Sequence, residues 1–132
     1  RTLDIGQTSR GCPFYCGFCS SASIRERKWR AFTADRATET IKDAVERFKL
    51  TGIWLRDDEF YIDHKRAGKI AKNIIPLNIK WYTSGTRVDV FNKTDDEQVE
   101  LYKMAGSNTL KFCAESGSNM ILKLIGKGIT RD

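Results

Sequence analysis

Apolar residues follow two different spacings along this chain. Four short segments, residues 2–9, 53–55, 79–84 and 109–114, contain the adjacent or alternating apolar residues that form buried strands. Later in each unit, apolar residues recur three or four positions apart, as on one face of a helix. Four strand–helix units in alternation, with no hairpin signal between them, predict a parallel sheet with right-handed crossovers.

Start and stop signals delimit the predicted helices. Residues that favour the N-cap position precede three of them, at Thr33, at Asp63 and in the capping box 94–97. Residues that end helices follow the same three, at Gly52, Pro76 and Gly106. The fourth helix is predicted at residues 120–125. Such an α/β fold is either a doubly wound sheet or a β/α barrel. Because no G-x-G-x-x-G motif follows the first strand, a nucleotide-binding Rossmann sheet has little support.

The composition is that of a single globular domain, which we assign to residues 1–132. Hydrophobic residues make up 40% of the chain and charged residues 30%, an ordinary balance for a soluble protein. No apolar run approaches the roughly 18 residues of a membrane span, and no signal segment stands at the start. We therefore expect a cytoplasmic protein. The first residue is Arg1 and not methionine, which indicates a piece of a longer protein.

The chain is basic, with 23 Lys and Arg against 17 Asp and Glu and a net charge of +6. Four basic residues follow one another closely: Arg25, Arg27, Lys28 and Arg30. We interpret them as a solvated face, with attraction of an anionic substrate as the alternative. Only Trp29 adds an aromatic ring to this run, and no nucleic-acid-binding motif is present. Nucleic acid is therefore not expected as a partner.

Three of the four cysteines, Cys12, Cys16 and Cys19, fall within eight residues in a C-x3-C-x2-C arrangement. Three thiolates in one loop predict a metal centre with one open coordination site, which suits an iron–sulfur cluster. A zinc knuckle would need a fourth ligand, and only Cys113 and His64 are available for it, both far away in sequence. A disulfide or a chance grouping is the other alternative. Thiolate ligands also agree with a reducing compartment.

The segment from Ser9 to Cys19 closely resembles the cluster loop of the radical S-adenosylmethionine (radical SAM) enzymes. The resemblance implies that Cys12, Cys16 and Cys19 hold a [4Fe–4S] cluster whose open iron chelates SAM, and that Phe18 lies beside the adenine. It also implies reductive cleavage of SAM to a 5′-deoxyadenosyl radical. The implied fold is a partial (β/α)6 barrel, of which this chain supplies the first four β/α units. We therefore expect the chain alone to be inactive.

The polar residues after the second and third predicted strands acquire roles from the same resemblance. Asp57 and Asp58 stand where the family often has Gly-Gly-Glu, which meets the SAM amino group, although the glycines are absent here. Arg87 is expected to bind the SAM carboxylate as a fork, with Ser84 lining the same floor. The alternatives are helix-capping or turn roles for the acidic run, and an ion pair of Arg87 with Asp89.

After the fourth predicted strand, residues 115–118 read Glu-Ser-Gly-Ser and closely resemble the family's sequence at that strand. The resemblance implies that Glu115 and Ser116 approach bound SAM, and a simple helix start is the alternative. Cys113 is expected to point to the other side of this strand as a small core residue. We expect His64 to be an exposed residue at a helix start.

A closer resemblance connects the chain to the radical SAM branch that carries an N-terminal cobalamin-binding domain. The segments that carry it are 10–14, 29–30, 57–60, 87–89, 115–118 and 127–128. It implies cobalamin bound mainly by a domain absent here, a small-molecule or peptide substrate, and a reductant such as flavodoxin or ferredoxin. The implied outcome is methylation or radical cyclisation. The alternatives are a methylthiotransferase acting on RNA or protein, and a non-enzymatic iron–sulfur or zinc module.

Overall fold

A computed structural model describes residues 1–131 of the chain, with all of their side chains except those at positions 22 and 23. In this part of the chain the strands and α-helices follow one another as β1 (Thr2–Asp4), β2 (Ser9–Arg10), α1 (Ser21–Ile24), β3 (Arg30–Ala31), α2 (Ala34–Phe48), β4 (Gly52–Leu55), α3 (His64–Ile74), β5 (Lys80–Thr83), α4 (Val88–Phe91), α5 (Asp96–Met104), β6 (Ser107–Thr109) and α6 (Asn119–Leu124). Short 3-10 turns occupy Phe60–Ile62 and Ile75–Leu77. None of the helices in the described range is long and apolar enough to cross a membrane.

The main sheet is parallel, with the strand order β1-β4-β5-β6. Each strand therefore lies beside the next main-sheet strand in the sequence. A doubly wound sheet reverses direction partway through its strand order, and no such reversal occurs here. The prediction of four parallel β/α units is confirmed, and the sequential order is that of a β/α barrel segment.

Side chains cap the helices largely as predicted. Thr33 accepts a hydrogen bond from the Arg36 N–H at 3.2 Å, and Asp63 accepts one from the Arg66 N–H at 2.9 Å. The cap of α5 is Asp95, one residue after the start of the predicted capping box. Such caps satisfy backbone donors that have no partner within the helix.

The end of α2 differs from the prediction. Lys49 takes the left-handed conformation there, with φ of 51°, and its N–H bonds to the Val45 carbonyl. Gly52 is instead the first residue of β4, where a Cβ would lie 2.8 Å from the Thr2 hydroxyl. Close packing of β1 against β4, and not the helix end, is the reason for this glycine.

The hydrophobic core lies between the sheet and helices α2, α3 and α5. Its centre is aromatic. Tyr61 packs edge-on against Phe60 and Tyr102, with ring centroids 5.1 and 5.4 Å apart. The Trp81 indole N–H donates to the Ala105 carbonyl at 3.0 Å. Each large side chain buried in this way contributes about 1.5–3 kcal/mol to the stability of the fold. The strand ends are therefore supported by a well-packed core.

Two segments depart from the predicted strands. The first strand ends at Asp4, and β2 then pairs with β3 as a small antiparallel ribbon. Regular strand structure in the fourth unit covers β6 only, and the predicted segment 109–114 continues with a single bridge between Thr86 and Phe112. Gly106 has φ of +90°, and a Cβ there would lie 2.1 Å from a backbone carbonyl oxygen of the preceding strand segment. This close approach starts β6 earlier than the apolar pattern indicates.

Candidate functional site

The cluster loop, residues 11–19, is held by hydrogen bonds to later parts of the chain. The Gly11 N–H donates to Asp58 Oδ2 at 2.7 Å, and the Gly17 N–H donates to the Ile125 carbonyl at 2.8 Å. Gly11 has φ of +87°, and a Cβ there would lie 2.0 Å from a backbone carbonyl oxygen. A side chain at this position would force the loop open. The loop is thus fixed both at its start and in its middle.

All three cysteine thiols of the cluster loop are free. Cys12 and Cys16 are half-buried, Cys19 is exposed, and the Cys19 N–H donates to the Cys16 carbonyl at 3.1 Å. Burial raises the pKa of the Cys12 thiol, and the Phe14 N–H opposes that effect. The nearby negative charges of Glu59 and of the two other thiolates raise the same pKa further. Thiolates that resist one another's ionisation are stabilised together by a cationic metal centre.

This donor set suits a multi-iron cluster. Zinc would hold each sulfur about 2.3 Å from one centre, whereas a [4Fe–4S] cluster takes each thiolate on a different iron. His64, a candidate for a fourth zinc ligand, is half-buried, against the expectation that it is exposed, and its Nδ1 lies 3.2 Å from the Thr94 hydroxyl.

Arg87 lies directly beside the cluster loop. Its Nη1 donates to the Cys16 Sγ at 3.3 Å, and its guanidinium carbon lies 3.9 Å from the centre of the Phe14 ring. Asp89 receives a fork from Nε at 2.9 Å and from Nη2 at 3.0 Å. Nη2 also donates to the Lys127 carbonyl at 2.7 Å. The ion pair with Asp89 is therefore formed, and every guanidinium nitrogen already has a partner.

Glu59 connects the segments that follow β4 and β5. It is only 1% exposed, although it closes the acidic run after β4. Its Oε2 accepts from the Arg87 N–H at 2.8 Å, and its Oε1 accepts from the Thr86 hydroxyl at 2.7 Å. Burial raises the pKa of Glu59, while these donors lower it in part. The carboxyl group thus holds the backbone from which the Arg87 side chain reaches the cluster loop.

The two aspartates of the acidic run have different environments. Asp57 is 1% exposed and accepts hydrogen bonds from Thr8 and Ser9, in the segment that leads into the cluster loop. Asp58 is exposed, and its Oδ2 accepts the Gly11 N–H. Asp57 therefore has a structural role in this arrangement. Asp58 keeps its second oxygen available for a ligand.

The remaining predicted SAM contacts fall in two pockets. Asp57, Asp58 and Ser84 line a pocket of about 410 Å³, together with Cys113. Cys113 is half-buried at this pocket, so the expectation of a core residue is wrong. Ser116 lines a separate, open pocket of about 1000 Å³ together with Asp89 and Gly128.

A part-buried ion pair in the fourth unit lies close to the cluster loop. Lys127 is only 4% exposed, and its Nζ contacts Glu115 Oε1 at 3.0 Å. The same Nζ lies 5.9 Å from the centre of the Phe18 ring, which is 56% exposed. Glu115 has φ of 71°, an uncommon conformation for a residue with a side chain. These contacts bring two of the predicted cofactor residues, Phe18 and Glu115, to the same cation.

Arg66 binds the residues that flank the β2–β3 ribbon and has no sequence signal beyond its place in the first turn of a helix. It is 7% exposed, and it donates through Nε to the Phe32 carbonyl and through Nη2 to the Thr8 carbonyl, both at 2.8 Å. Burial lowers the pKa of Arg66, and the negative charges of Asp57 and Asp63 oppose that effect. The guanidinium thus joins both arms of the β2–β3 ribbon to α3.

Comparison with known proteins agrees with this geometry. The sequence profile of the Radical SAM superfamily matches residues 7–132. The chain is similar to an uncharacterized methyltransferase of Pyrococcus horikoshii, with 38% identity over 128 residues, 96% of this chain and 27% of that protein. It is also 34% identical over 99 residues to the hopanoid C-3 methylase of Methylococcus capsulatus, which covers 74% of this chain and 18% of that protein.

The fold is similar to a solved structure of OxsB, a cobalamin-dependent S-adenosylmethionine radical enzyme with aqua-cobalamin and S-adenosylmethionine bound. The TM-score is 0.73 and the identity 25%, over 98% of this chain and 20% of that one. A further relative is the anaerobic magnesium-protoporphyrin IX monomethyl ester cyclase of Cereibacter sphaeroides, with 27% identity. The chain spans between 18% and 27% of the length of the three curated relatives named.

Proposed function

Because this chain belongs to the radical SAM superfamily, we propose that Cys12, Cys16 and Cys19 hold a [4Fe–4S] cluster and that residues at the strand ends bind S-adenosylmethionine. The observation that carries the proposal is a loop with three free thiols that is fixed by Asp58 and Ile125. A cluster bound there would supply the electron that cleaves SAM and releases a 5′-deoxyadenosyl radical. We assign the chain to the N-terminal part of the catalytic domain.

The residues around the loop have separate tasks in this proposal. Asp58 accepts a hydrogen bond from the SAM amino group through Oδ1, the oxygen that does not bind the Gly11 N–H. Phe18 offers its exposed ring to the adenine, and Glu115, held by Lys127, faces the same ligand. Ser84 lines the pocket of about 410 Å³ and Ser116 the pocket of about 1000 Å³. Charged groups act strongly here because hydrogen bonds to ionised partners are about twice as strong as neutral ones.

Cobalamin is the second cofactor that we propose for the complete protein, bound mainly by a domain outside this chain. The support is the similarity to the cobalamin-dependent enzyme OxsB and to a methylase and a cyclase. The reaction is then methylation or radical cyclisation of a small molecule or peptide. Both cofactors would have to face one pocket, since a radical must meet its partner within contact distance.

An external protein must deliver the electron, and we propose an acidic flavodoxin or ferredoxin for this purpose. The exposed residues of the cluster loop and the segment after it include Tyr15, Cys19 and Arg30. The Arg27 guanidinium lies 4.1 Å from the centre of the Tyr15 ring. A basic, partly aromatic surface close to the cluster suits an acidic partner, because charge complementarity speeds up encounter.

Electron paramagnetic resonance on the complete protein tests the proposal. The protein would be reconstituted anaerobically with iron and sulfide, reduced with dithionite, and measured with and without SAM. We expect a cluster signal that changes when SAM is added, together with formation of 5′-deoxyadenosine. S-adenosylhomocysteine, which has no sulfonium to cleave, is the matched control. A cluster signal that SAM leaves unchanged, or protein without iron, would contradict the proposal.

A further inference from the structure

We propose that Arg87 is a positioning residue for the cluster: its guanidinium holds the Cys16 thiolate by a charged hydrogen bond and raises the reduction potential of the cluster. The inference rests on the proposed function, since it assumes a cluster on Cys16. It replaces the role of SAM carboxylate ligand that the sequence indicates for Arg87.

The geometry carries the inference. Nη1 of Arg87 lies 3.3 Å from the Cys16 Sγ, within hydrogen-bonding range for sulfur, and Arg87 is 5% exposed. Phe14 covers one face of the guanidinium at 3.9 Å. Water is therefore largely kept from the contact, and the charge acts through a medium of low polarity.

The guanidinium has one N–H without a partner named above, the second one of Nη1, which is too few for a fork to a SAM carboxylate. Nε and Nη2 form the fork to Asp89, and Nη2 is shared with the Lys127 carbonyl. Binding a carboxylate through two N–H groups would require breaking this fork or the contact with Cys16. The backbone N–H of Arg87 is also fixed, because it donates to Glu59 at 2.8 Å. The backbone and the guanidinium of Arg87 are thus both held in the position that allows the contact with Cys16.

A cation in this place changes the energy of electron uptake. When the cluster gains one electron from an external reductant, its negative charge increases, and part of that charge lies on the cysteine sulfurs. A hydrogen bond from a cation to one of those sulfurs stabilises the reduced form more than the oxidised form. Arg87 therefore makes reduction easier.

Asp89 opposes this effect. Its carboxylate neutralises part of the Arg87 charge through the fork, and its side chain is 37% exposed. Removing the negative charge of Asp89 leaves more positive charge next to Cys16. The two residues should therefore shift the reduction potential in opposite directions, which a purely structural role would not do.

The test is a redox titration of the cluster in the complete, reconstituted protein, followed by electron paramagnetic resonance. In Arg87→Met we expect a roughly tenfold lower ratio of reduced to oxidised cluster at a fixed solution potential, equivalent to a midpoint about 59 mV lower for one electron. In Asp89→Asn we expect a shift of opposite sign. Arg87→Lys keeps the charge, and we expect a midpoint between those of wild type and Arg87→Met.

The outcomes separate this inference from the proposed function. Wild-type protein that binds no cluster would overturn the proposed function itself. A cluster whose midpoint potential is the same in wild type, Arg87→Lys and Asp89→Asn would overturn only the role of Arg87. Midpoint shifts of the same sign in the Arg87 and Asp89 variants would overturn it as well. If Arg87→Met fails to hold a cluster, the other two variants decide the question.

Discussion

Asp58 contacts the cluster loop and is also accessible to a ligand, whereas neither is true of its neighbour Asp57. One oxygen of Asp58 fixes the Gly11 N–H at the start of the cluster loop, and the side chain is exposed. Asp57 is buried and accepts only from the segment before that loop. At the level of single residues, the acidic run therefore divides into a ligand candidate and a structural support. This division could not be read from two adjacent carboxylates in the sequence.

Replacing any one of Cys12, Cys16 and Cys19 by alanine should abolish a stable cluster, because thiolates provide most of the protein's hold on the irons. Iron and sulfide content and the visible absorption of the reconstituted protein measure the effect. Cys113→Ala is the matched control and should keep the full iron content. Full iron in Cys16→Ala would contradict the ligand assignment.

Glu115→Gln should weaken SAM binding by roughly ten- to a hundredfold, since a hydrogen bond to a charged group is worth about 1.5–3 kcal/mol. The change removes the negative charge and keeps the size of the side chain. Isothermal titration of SAM into reconstituted protein gives the dissociation constant, and iron content should stay at the wild-type value. Glu100→Gln, which loses an exposed ion pair to Lys103 on α5, is the control. Equal affinities in the two variants would return Glu115 to a structural role.

At the level of elements, the sequence predicts what depends on local signals. The caps Thr33 and Asp63 and the four apolar strand segments are such signals, and the corresponding helices and the parallel sheet are present. The β2–β3 ribbon has strands of two residues, which are too short to show any periodicity. The residues that flank it are held by Arg66, which lies more than 30 residues away in the chain.

In the candidate site, too, some features could be predicted from the sequence and others could not. The cysteine spacing and the Glu-Ser-Gly-Ser run stand out locally, so Cys12, Cys16, Cys19 and Glu115 could be singled out in advance. Lys127 belongs to the run 127–128 that carries the branch resemblance, but that run assigns it no partner, and only the folded chain buries it against Glu115. Long-range contacts of this kind have no local pattern that marks them.

Glu59 links two strand ends, and Glu59→Gln should lower the free energy of unfolding by about 1–3 kcal/mol. Either orientation of the amide would place a donor against a backbone N–H, because Oε2 now accepts from Arg87 at 2.8 Å and Oε1 from Tyr61 at 3.3 Å. Urea unfolding of the apoprotein measures the change. Glu97→Gln on the exposed surface of α5 is the control and should change stability by a few tenths of a kcal/mol. Equal losses of unfolding free energy in Glu59→Gln and Glu97→Gln would contradict the view that Glu59 links the two strand ends.

The same pair of variants tests the raised pKa of Glu59. A carboxyl group whose pKa is raised on folding stabilises the protein fully below its ordinary pKa, and that contribution is lost as the pH rises through the folded value. Glutamine does not titrate. The stability difference between wild type and Glu59→Gln should therefore be largest at acid pH and shrink as the pH rises above about 4.5.

At the scale of the whole molecule, β1 and β6 are the outer strands of the main sheet in the described part of the chain. The contacts that fix the cluster loop nevertheless all lie within residues 1–131, since Asp58, Arg87 and Ile125 come from three different units. Three different units of the described chain therefore contact the cluster loop. The chain spans 20% of the length of the OxsB structure.

The complete protein should contain cobalamin when it is expressed anaerobically with a supply of the cofactor. We expect a Rossmann-like α/β domain upstream of Arg1 that brings cobalamin over the rim of the cluster site. Cobalt content and the absorption spectrum after purification measure binding. The 132-residue chain is the control, and it should bind no cobalamin and turn over no substrate. Absence of cobalt from the complete protein would contradict this assignment and leave the cluster assignment intact.

The hydrogen bond from Gly17 to Ile125 has a consequence for how the protein is made. Residue 125 leaves the ribosome 108 positions after residue 17, and at roughly 5–20 residues per second this takes about 5–20 s. During that time the three thiols have been synthesised, but the backbone that encloses their loop has not. Iron–sulfur cluster delivery on the nascent chain would therefore meet an open loop, whereas delivery after release would meet a closed one. Cells that supply clusters slowly should therefore accumulate folded apoprotein, in which the closed loop makes cluster insertion at the three thiols harder.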